Sequence, residues 1–352
     1  MKKMIFAGLA ALGLLAAGCG KDVAPETAGT GGSIRVAIQS ENNPTRAVGS
    51  PTAEEEKTVK SFTVYVFNNA TGALEKSETF TSGLNGEISG LNVASQKKVV
   101  VFVNQPAGFP AISNYVDFSE ASAMIALSTQ DPGDFSAKGL FMSGEYGSPV
   151  TLNKDQAVPI TVTVKRLTAK IRLGSLKVSP TADFSLGDFA LTGVSVQKAR
   201  DKAPVLGGLA AEGFGYVGGL QADGAVSHSF LHEYYSLPEG YSAGTPLDPK
   251  VYFYVFPNDN TNGQATLLSL YGTYKGEAMY YSFRINDAAS GSGENAPDGN
   301  WIERNKVYTL NVTLKKLGSG GEDPNVPNEE AALDVTVSVA DWEGELIQEV
   351  EW

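Results

Sequence analysis

The chain has 352 residues, with 39 acidic and 27 basic side chains for a net charge of −12, two histidines and one cysteine. That balance argues against a nucleic-acid partner, which needs clustered Lys and Arg to displace counterions from phosphate. It also leaves few ligands for a metal and no second thiol for a disulfide. The length exceeds the usual ~100 to 200 residues of one domain, so two domains are expected.

A basic start, Met1-Lys2-Lys3, precedes an apolar run from Met4 to Leu15 and then Ala16-Ala17-Gly18-Cys19. A charged n-region, an h-region too short to span a bilayer and small residues before a cysteine read as a bacterial lipoprotein signal, with Cys19 as the acylated residue. Ala16 departs from the usual pattern, since a larger aliphatic is commoner there. No later apolar run reaches the ~20 residues of a spanning helix. Gly20 to Gly32 is polar and rich in Gly, Thr and Ala, as in a flexible tether. In Ser33 to Ser40, Ile34, Val36 and Ile38 alternate with Arg35, Ala37 and Gln39, which predicts a strand with one buried face. A polar loop from Glu41 to Pro51 contains Arg46.

Phe62, Val64 and Val66 alternate with Thr63, Tyr65 and Phe67 and run into Asn68-Asn69-Ala70-Thr71-Gly72, a strand leading into a hairpin. Short strands are predicted at Lys98 to Asn104, Gly139 to Ser143 and Val158 to Lys165, and a helix over Ser119 to Leu127 with Ser119 as its N-cap. The second half continues with strands at Thr168 to Val178, Phe189 to Gln197, Val251 to Phe256, Ala265 to Tyr274, Ala278 to Ile285 and Lys306 to Lys315. Many short strands and few helices predict an all-β chain of sandwiches rather than a βαβ architecture. A domain boundary is placed near Lys165 and Arg166, where two strands meet almost without a linker. Gly318 to Asn328 is a Gly/Pro linker. Beyond it Leu333, Val335, Val337 and Val339 lie on one face of a strand, and after a turn Leu346, Val350 and Trp352 lie on one face of another. A two-stranded ribbon is marginal alone, so this one must pack on something.

Few residues point to chemistry. Gly213-Phe214-Gly215-Tyr216-Val217-Gly218 has the spacing of a dinucleotide loop but no helix pattern after it. His228 and His232 stand four apart without a general-base Glu or a third ligand, so they read as ordinary loop or strand histidines. No GxSxG elbow appears, and nothing marks a carboxylate pair. Tyr252 and Tyr254 fit one face of a strand, whereas Tyr234, Tyr235 and Trp301 could offer stacking faces to a sugar. No catalytic residue, cofactor or metal site is therefore assigned.

Several segments, taken in order, resemble the fimbrillins, the major fimbrial subunits of Bacteroidetes also called type V pilins. They are the signal ending at Cys19, Thr45-Arg46-Ala47 ahead of Val59 to Phe67, Phe141-Met142-Ser143-Gly144, and Arg166-Leu167-Thr168-Ala169-Lys170-Ile171. Val255-Phe256-Pro257-Asn258, Arg304-Asn305-Lys306-Val307-Tyr308 and Val337 to Glu343, with Trp342, complete the series. The resemblance implies two tandem transthyretin-like β-sandwich domains and assembly by donor-strand exchange after Arg-specific proteolysis. The organisation it suggests is a signal over 1–18, a lipidated propeptide with the first strand over 19–46, domains over 47–165 and 166–317, and a linker with the donor segment over 318–352.

On this expectation a cut between Arg46 and Ala47 releases the strand bearing Ile34, Val36 and Ile38. An incoming subunit then fills the groove with Leu333, Val335, Val337, Val339, Trp342, Leu346, Val350 and Trp352. Burying the four residues from Leu333 to Val339 would gain roughly 6 to 12 kcal/mol in gross. Contacts of this heterologous kind propagate as a filament. Two simpler readings stay open: Arg46 as an ordinary loop arginine, and the terminal hairpin as part of its own sheet. The expected partners are other fimbrial subunits, an Arg-specific protease and, through the lipid on Cys19, the outer membrane before cleavage; the product is a cell-surface fimbrium that supports adhesion. The alternatives are a non-polymerising anchor or accessory subunit that keeps its lipid, and an outer-membrane glycan-binding lipoprotein using Tyr234, Tyr235 or Trp301.

Overall fold

In the computed structural model, residues 29–41, 54–119, 123–131, 139–181, 183–259, 263–286, 301–320, 323–327 and 333–342 are described. Cys19, Arg46, Ala47, Leu346, Val350 and Trp352 lie outside the described residues, and Leu333, Val337 and Val339 are described through their backbone alone.

Apolar residues at every second position build the amino-terminal part. β1 (Thr30–Ser40) turns Ile34, Val36 and Ile38 inward and Arg35 and Gln39 outward. After a four-residue helix, α1 (Glu54–Lys57), come β2 (Phe62–Asn68), β3 (Leu74–Phe80), β4 (Asn85–Asn92) and β5 (Lys97–Val103). The short β6 (Met124–Ala126), β7 (Met142–Glu145) and β8 (Ala157–Arg166) complete it. Apart from β6 these strands form one sheet among the described residues, in the order β3-β2-β5-β7-β8-β1-β4. The turn expected at Asn68 to Gly72 does join an antiparallel pair, with Phe62 opposite Phe80, and Gly72 there has φ of 72°. At the β7–β8 contact a Cβ on Gly144 would lie 2.2 Å from the Thr163 carbonyl oxygen, so only glycine fits.

β1 is an interior strand of this sheet. It runs parallel to β8, from Ser33 opposite Ala157 to Ser40 opposite Val164, and antiparallel to β4, with Ile34 opposite Ile88. The continuous apolar run of β5 is explained by burial on both faces, as such runs require. Val64, Val66, Val99, Val101 and Val103 share a core with Ile34, Val36 and Ile38. Phe67, Val100 and Phe102 face the other way, against Phe118, Phe141 and residues of the second half such as Leu167 and Ile171.

The second half comprises β9 (Ala169–Val178), β10 (Phe189–Gln197), β11 (Ala199–Arg200), β12 (Lys202–Pro204), β13 (Tyr216–Val217), β14 (His232–Tyr234) and β15 (Tyr252–Val255). It continues with β16 (Leu267–Tyr274), β17 (Glu277–Arg284), β18 (Lys306–Leu314), β19 (Ser319–Gly320) and β20 (Leu333–Asp341). Two sheets result among the described residues, β14-β10-β16-β17-β19 and β15-β9-β18-β20. Val194, Val196, Leu268 and Leu270 from one and Ile171, Leu173, Leu310 and Val312 from the other enter a common core, the packing of a sandwich. The chain is all-β. As β1 does with β8, β9 pairs in parallel with β18, the first strand of the half beside a late one.

Where a helix is expected over Ser119 to Leu127, the described residues 119 and 123–127 are not α-helical. A 3-10 turn spans Tyr115–Ser119, β6 follows, and a second 3-10 turn spans Leu127–Gln130. Ala123, Ile125 and Leu127 are all buried, a period of two rather than of a helix. Their backbone bonds go to the second half: β6 pairs with β12, Val205 N–H donates to Ala123 O (3.1 Å) and Leu127 N–H to Asp201 O (2.7 Å). Of the two terminal strands expected, β20 pairs antiparallel with β18 within its own chain, from Lys306 opposite Asp341 to Leu314 opposite Leu333.

Candidate functional site

Two features stand where the sequence placed assembly: the slot occupied by β1, and the junction where β1, α1, β9, β18 and β20 end near one another. In the slot, the inward positions Gly32, Ile34, Val36, Ile38 and Ser40 are all buried. Gly32 approaches closely, for a Cβ there would lie 2.8 Å from Leu152 Cδ1. On the outer face Arg35 Nη2 donates to Glu87 Oε2 (3.0 Å) and Gln39 Nε2 to Thr163 Oγ1 (3.1 Å), exposed contacts worth little energetically. Just past the strand, Glu41 Oε1 lies 2.6 Å from Lys165 Nζ, and Glu41 Oε2 accepts from Asn305 Nδ2 at 3.3 Å.

The junction is a buried polar cluster centred on Glu56, which is fully buried in α1. A carboxylate removed from water needs donors on both oxygens, and they are supplied from distant parts of the chain. Oε1 accepts from Lys170 Nζ (2.6 Å) and from the Tyr254 hydroxyl; Oε2 accepts from Trp342 Nε1 at 3.2 Å. Trp342 stacks on Tyr254, with centroids 5.4 Å apart and planes 3° apart, and Arg166 Cζ lies 4.8 Å from its ring centre. Arg166 Nε donates to Glu56 O (3.1 Å) and Nη1 to Trp342 O (3.1 Å); Trp342 N–H donates to Asn305 O (2.9 Å). Burial lowers the Arg166 guanidinium to about 10 although Glu56 pulls it up, and burial followed by the Glu56 charge raises the Tyr254 hydroxyl well above its usual range. Arg304, also lowered to about 10 by burial, donates to the carbonyls of Arg166 (3.1 Å), Leu206 (2.6 Å), Ser143 (3.2 Å) and Lys165 (2.5 Å). The arrangement ties α1, the start of β9, β15, the loop before β18 and the end of β20 to one another.

The sequence singled out Trp342, and the runs from Arg166 to Ile171 and Arg304 to Tyr308, without relating them; the structure brings all three to one point. Glu56 was missed, being one of three consecutive glutamates with no apolar periodicity around it. The glycine run Gly213 to Gly218 carries β13, which pairs with β11, and no helix follows it. His228 and His232 do not converge: His228 Nδ1 lies 2.9 Å from Gly218 O, whereas His232 Nε2 meets the Tyr271 hydroxyl. Of the stacking faces, Tyr234 is 71% exposed, Tyr235 and Trp301 are half-buried, and Tyr254 belongs to the buried cluster.

The model of the major fimbrial subunit protein (FimA) matches residues 32–173, and that of the carboxy-terminal part of the type IV major fimbrial subunit protein, fimbrillin, matches residues 272–346. The chain belongs to the fimbrillin family. This fimbrillin is similar to solved structures of a fimbrilin (FimA) from Porphyromonas gingivalis, at 18% identity and TM-score 0.64 over 89% of this chain and 98% of that one. It is similar also to a protein described as a candidate cell adhesion protein from Bacteroides eggerthii, at 22% identity and TM-score 0.64 over 89% and 97%. A further likeness, to a protein so described from Parabacteroides distasonis, has 17% identity and TM-score 0.61 over 89% and 97%. At these identities the likeness is one of fold. No curated protein sequence matches the chain. Family membership gives this fimbrillin a structural role as a subunit of a cell-surface fimbria, in contact with other fimbrial subunits; the family is not an enzyme class.

Proposed function

We propose that this fimbrillin is lipidated at Cys19, held at the outer membrane as a precursor, and polymerised by donor-strand exchange once an Arg-specific protease cuts between Arg46 and Ala47, giving a fimbria that supports adhesion. The mature subunit then consists of domains 47–165 and 166–317, with 318–352 as linker and donor. The observation that carries this reading is the place of β1, an interior strand that precedes Arg46 in the chain and has Ile34, Val36 and Ile38 in the core. Its departure would expose the backbone of β8 along eight paired positions and an apolar slot beneath. A strand of another subunit that refills the slot regains about 1.5 to 3 kcal/mol per fully buried side chain, before ordering costs. β20 has the alternation required, with Leu333, Val335, Val337 and Val339 two apart, and its pairing with β18 means that it must leave its own sheet to act in trans.

Treating the lipid-free protein with an Arg-specific protease tests the reading by light scattering or electron microscopy: clean cleavage at Arg46 should yield polymers, and a product that stays monomeric overturns it. Deleting 333–352 should abolish polymers and leave the rest folded. An anchor subunit instead keeps its lipid, and mass spectrometry of the surface form would then find Cys19 rather than Ala47 at the amino terminus. Glycan binding is favoured by one observation, the exposed Tyr234 near a cleft of about 460 Å³ that includes Asp131, Glu233, Tyr235 and Tyr252. Calorimetry of the uncut protein against a panel of oligosaccharides distinguishes it.

A further inference from the structure

We propose that Glu41 and the Glu56 cluster form a latch that keeps the carboxy-terminal strand β20 in its own sheet for as long as β1 is in place, so that loss of β1 loosens β20. The proposal rests on the strand-exchange reading for its biological meaning, although the contacts that carry it are independent of that reading.

Trp342 follows β20 directly and is held at four points. Its indole N–H is bonded to Glu56, its backbone N–H to Asn305 O and its carbonyl to Arg166 Nη1, and its ring contacts Tyr254 and the Arg166 guanidinium. The far side of the same cluster is held by β1. Glu41, the residue after that strand, takes a hydrogen bond from Asn305 Nδ2 and an ion pair from Lys165. Asn305 is therefore the link. Its side-chain amide is fixed by Glu41, its Oδ1 accepts from Arg166 N–H at 3.3 Å, and its carbonyl, presented by a left-handed backbone with φ of 57°, receives Trp342. A chain of direct contacts thus runs from β1 through Glu41, Asn305 and Arg166 to the end of β20.

Charge strengthens the link. Lys165, Arg166, Lys170 and Arg304 come together beside two carboxylates, Glu41 and Glu56. When β1 leaves, Glu41 leaves with it, and among the described residues the four cations keep one carboxylate, Glu56. Arg166 and Arg304 are both buried, and Glu56 favours the charged form of the first as Glu41 does that of the second, so loss of Glu41 leaves Arg304 with less compensation for its burial. The cluster is also not saturated, since Arg166 Nη2 has no partner among the described residues. A polar network in that state loses much when a member is withdrawn. Coupling between sites is reciprocal, so β20 likewise helps to retain β1. The uncut precursor is held inactive at both ends by one set of contacts.

The test is hydrogen–deuterium exchange of the 333–341 amides in three forms of the full chain: intact, carrying Glu41→Gln, and freshly cut at Arg46 with β1 dissociated and the sample kept dilute. Glu41 is partly exposed and outside the cores, so its variant folds. The expected result is exchange of β20 about tenfold faster in the second and third forms, within the usual range for coupled sites, with β10 and β16 unchanged. Trp342→Phe, which keeps the stack and removes the indole N–H, should accelerate β20 in the same way. Equal protection of β20 in all three forms overturns the proposal, as does an acceleration shared by β16, which would mean general destabilisation. The two readings fail separately. A cut protein that never polymerises but shows a loosened β20 leaves the latch standing and overturns strand exchange; polymers formed by subunits whose β20 was equally protected before and after the cut do the reverse.

Discussion

At the scale of single residues, a buried side chain is defined by what replaces its water. His232 is 7% exposed, with Nε2 at the Tyr271 hydroxyl, and loss of solvent holds its imidazole below the ordinary 6.5. The neutral form is thus favoured by folding. The associated stability is complete above pH 6.5 and declines as the pH falls from there through the lowered folded-state value, because the unfolded chain takes up the proton first. Thermal melts between pH 7 and 5 should show Tm falling on acidification, and His232→Gln should flatten that part of the profile. The residues that matter most at the junction were the least legible. Glu56 meets Lys170, Tyr254 and Trp342 at separations of 114, 198 and 286 residues, and no local pattern encodes such a meeting.

At the scale of elements, β1 is the strand whose presence should be conditional. Ile34→Ala removes a side chain that is fully buried against the amino-terminal core, so urea unfolding of the intact chain should show a loss of about 2 to 5 kcal/mol. The same substitution should have no effect on the product cut at Arg46 once β1 has gone. Strands such as β1, β2, β9, β10, β16 and β18 were legible because one face is apolar, or both are. β3 and β4 were not, because Leu74–Phe80 includes Glu75, Lys76, Ser77 and Glu78 and borders the sheet, where few residues are buried. β6 was misread for a different reason. Its three apolar neighbours fit two periods, and a partner strand about 80 residues later decided between them.

At the scale of the whole molecule, Arg304 is the staple between the halves. From the β18 side it reaches carbonyls of Ser143 and Lys165 in the amino-terminal sheet, Arg166 at the crossing and Leu206 beyond it. Gly207 leaves room for it, since a Cβ there would lie 2.1 Å from Arg304 Nη1. A lysine has one nitrogen and cannot serve four acceptors in this geometry. By calorimetry the wild-type chain should therefore unfold in one transition and Arg304→Lys in two, with the amino-terminal sheet and the carboxy-terminal sandwich melting apart. The parallel partnership of β1 and β8 has a consequence for the order in which the fold is acquired. Gln39 and its neighbour Thr163 are 124 residues apart, so a chain made from its amino terminus can pair one edge of β1 with β4 but leaves the other edge open until β8 has been made. Closure of so long a loop is slow, and for that interval β1 is the segment most in need of a chaperone.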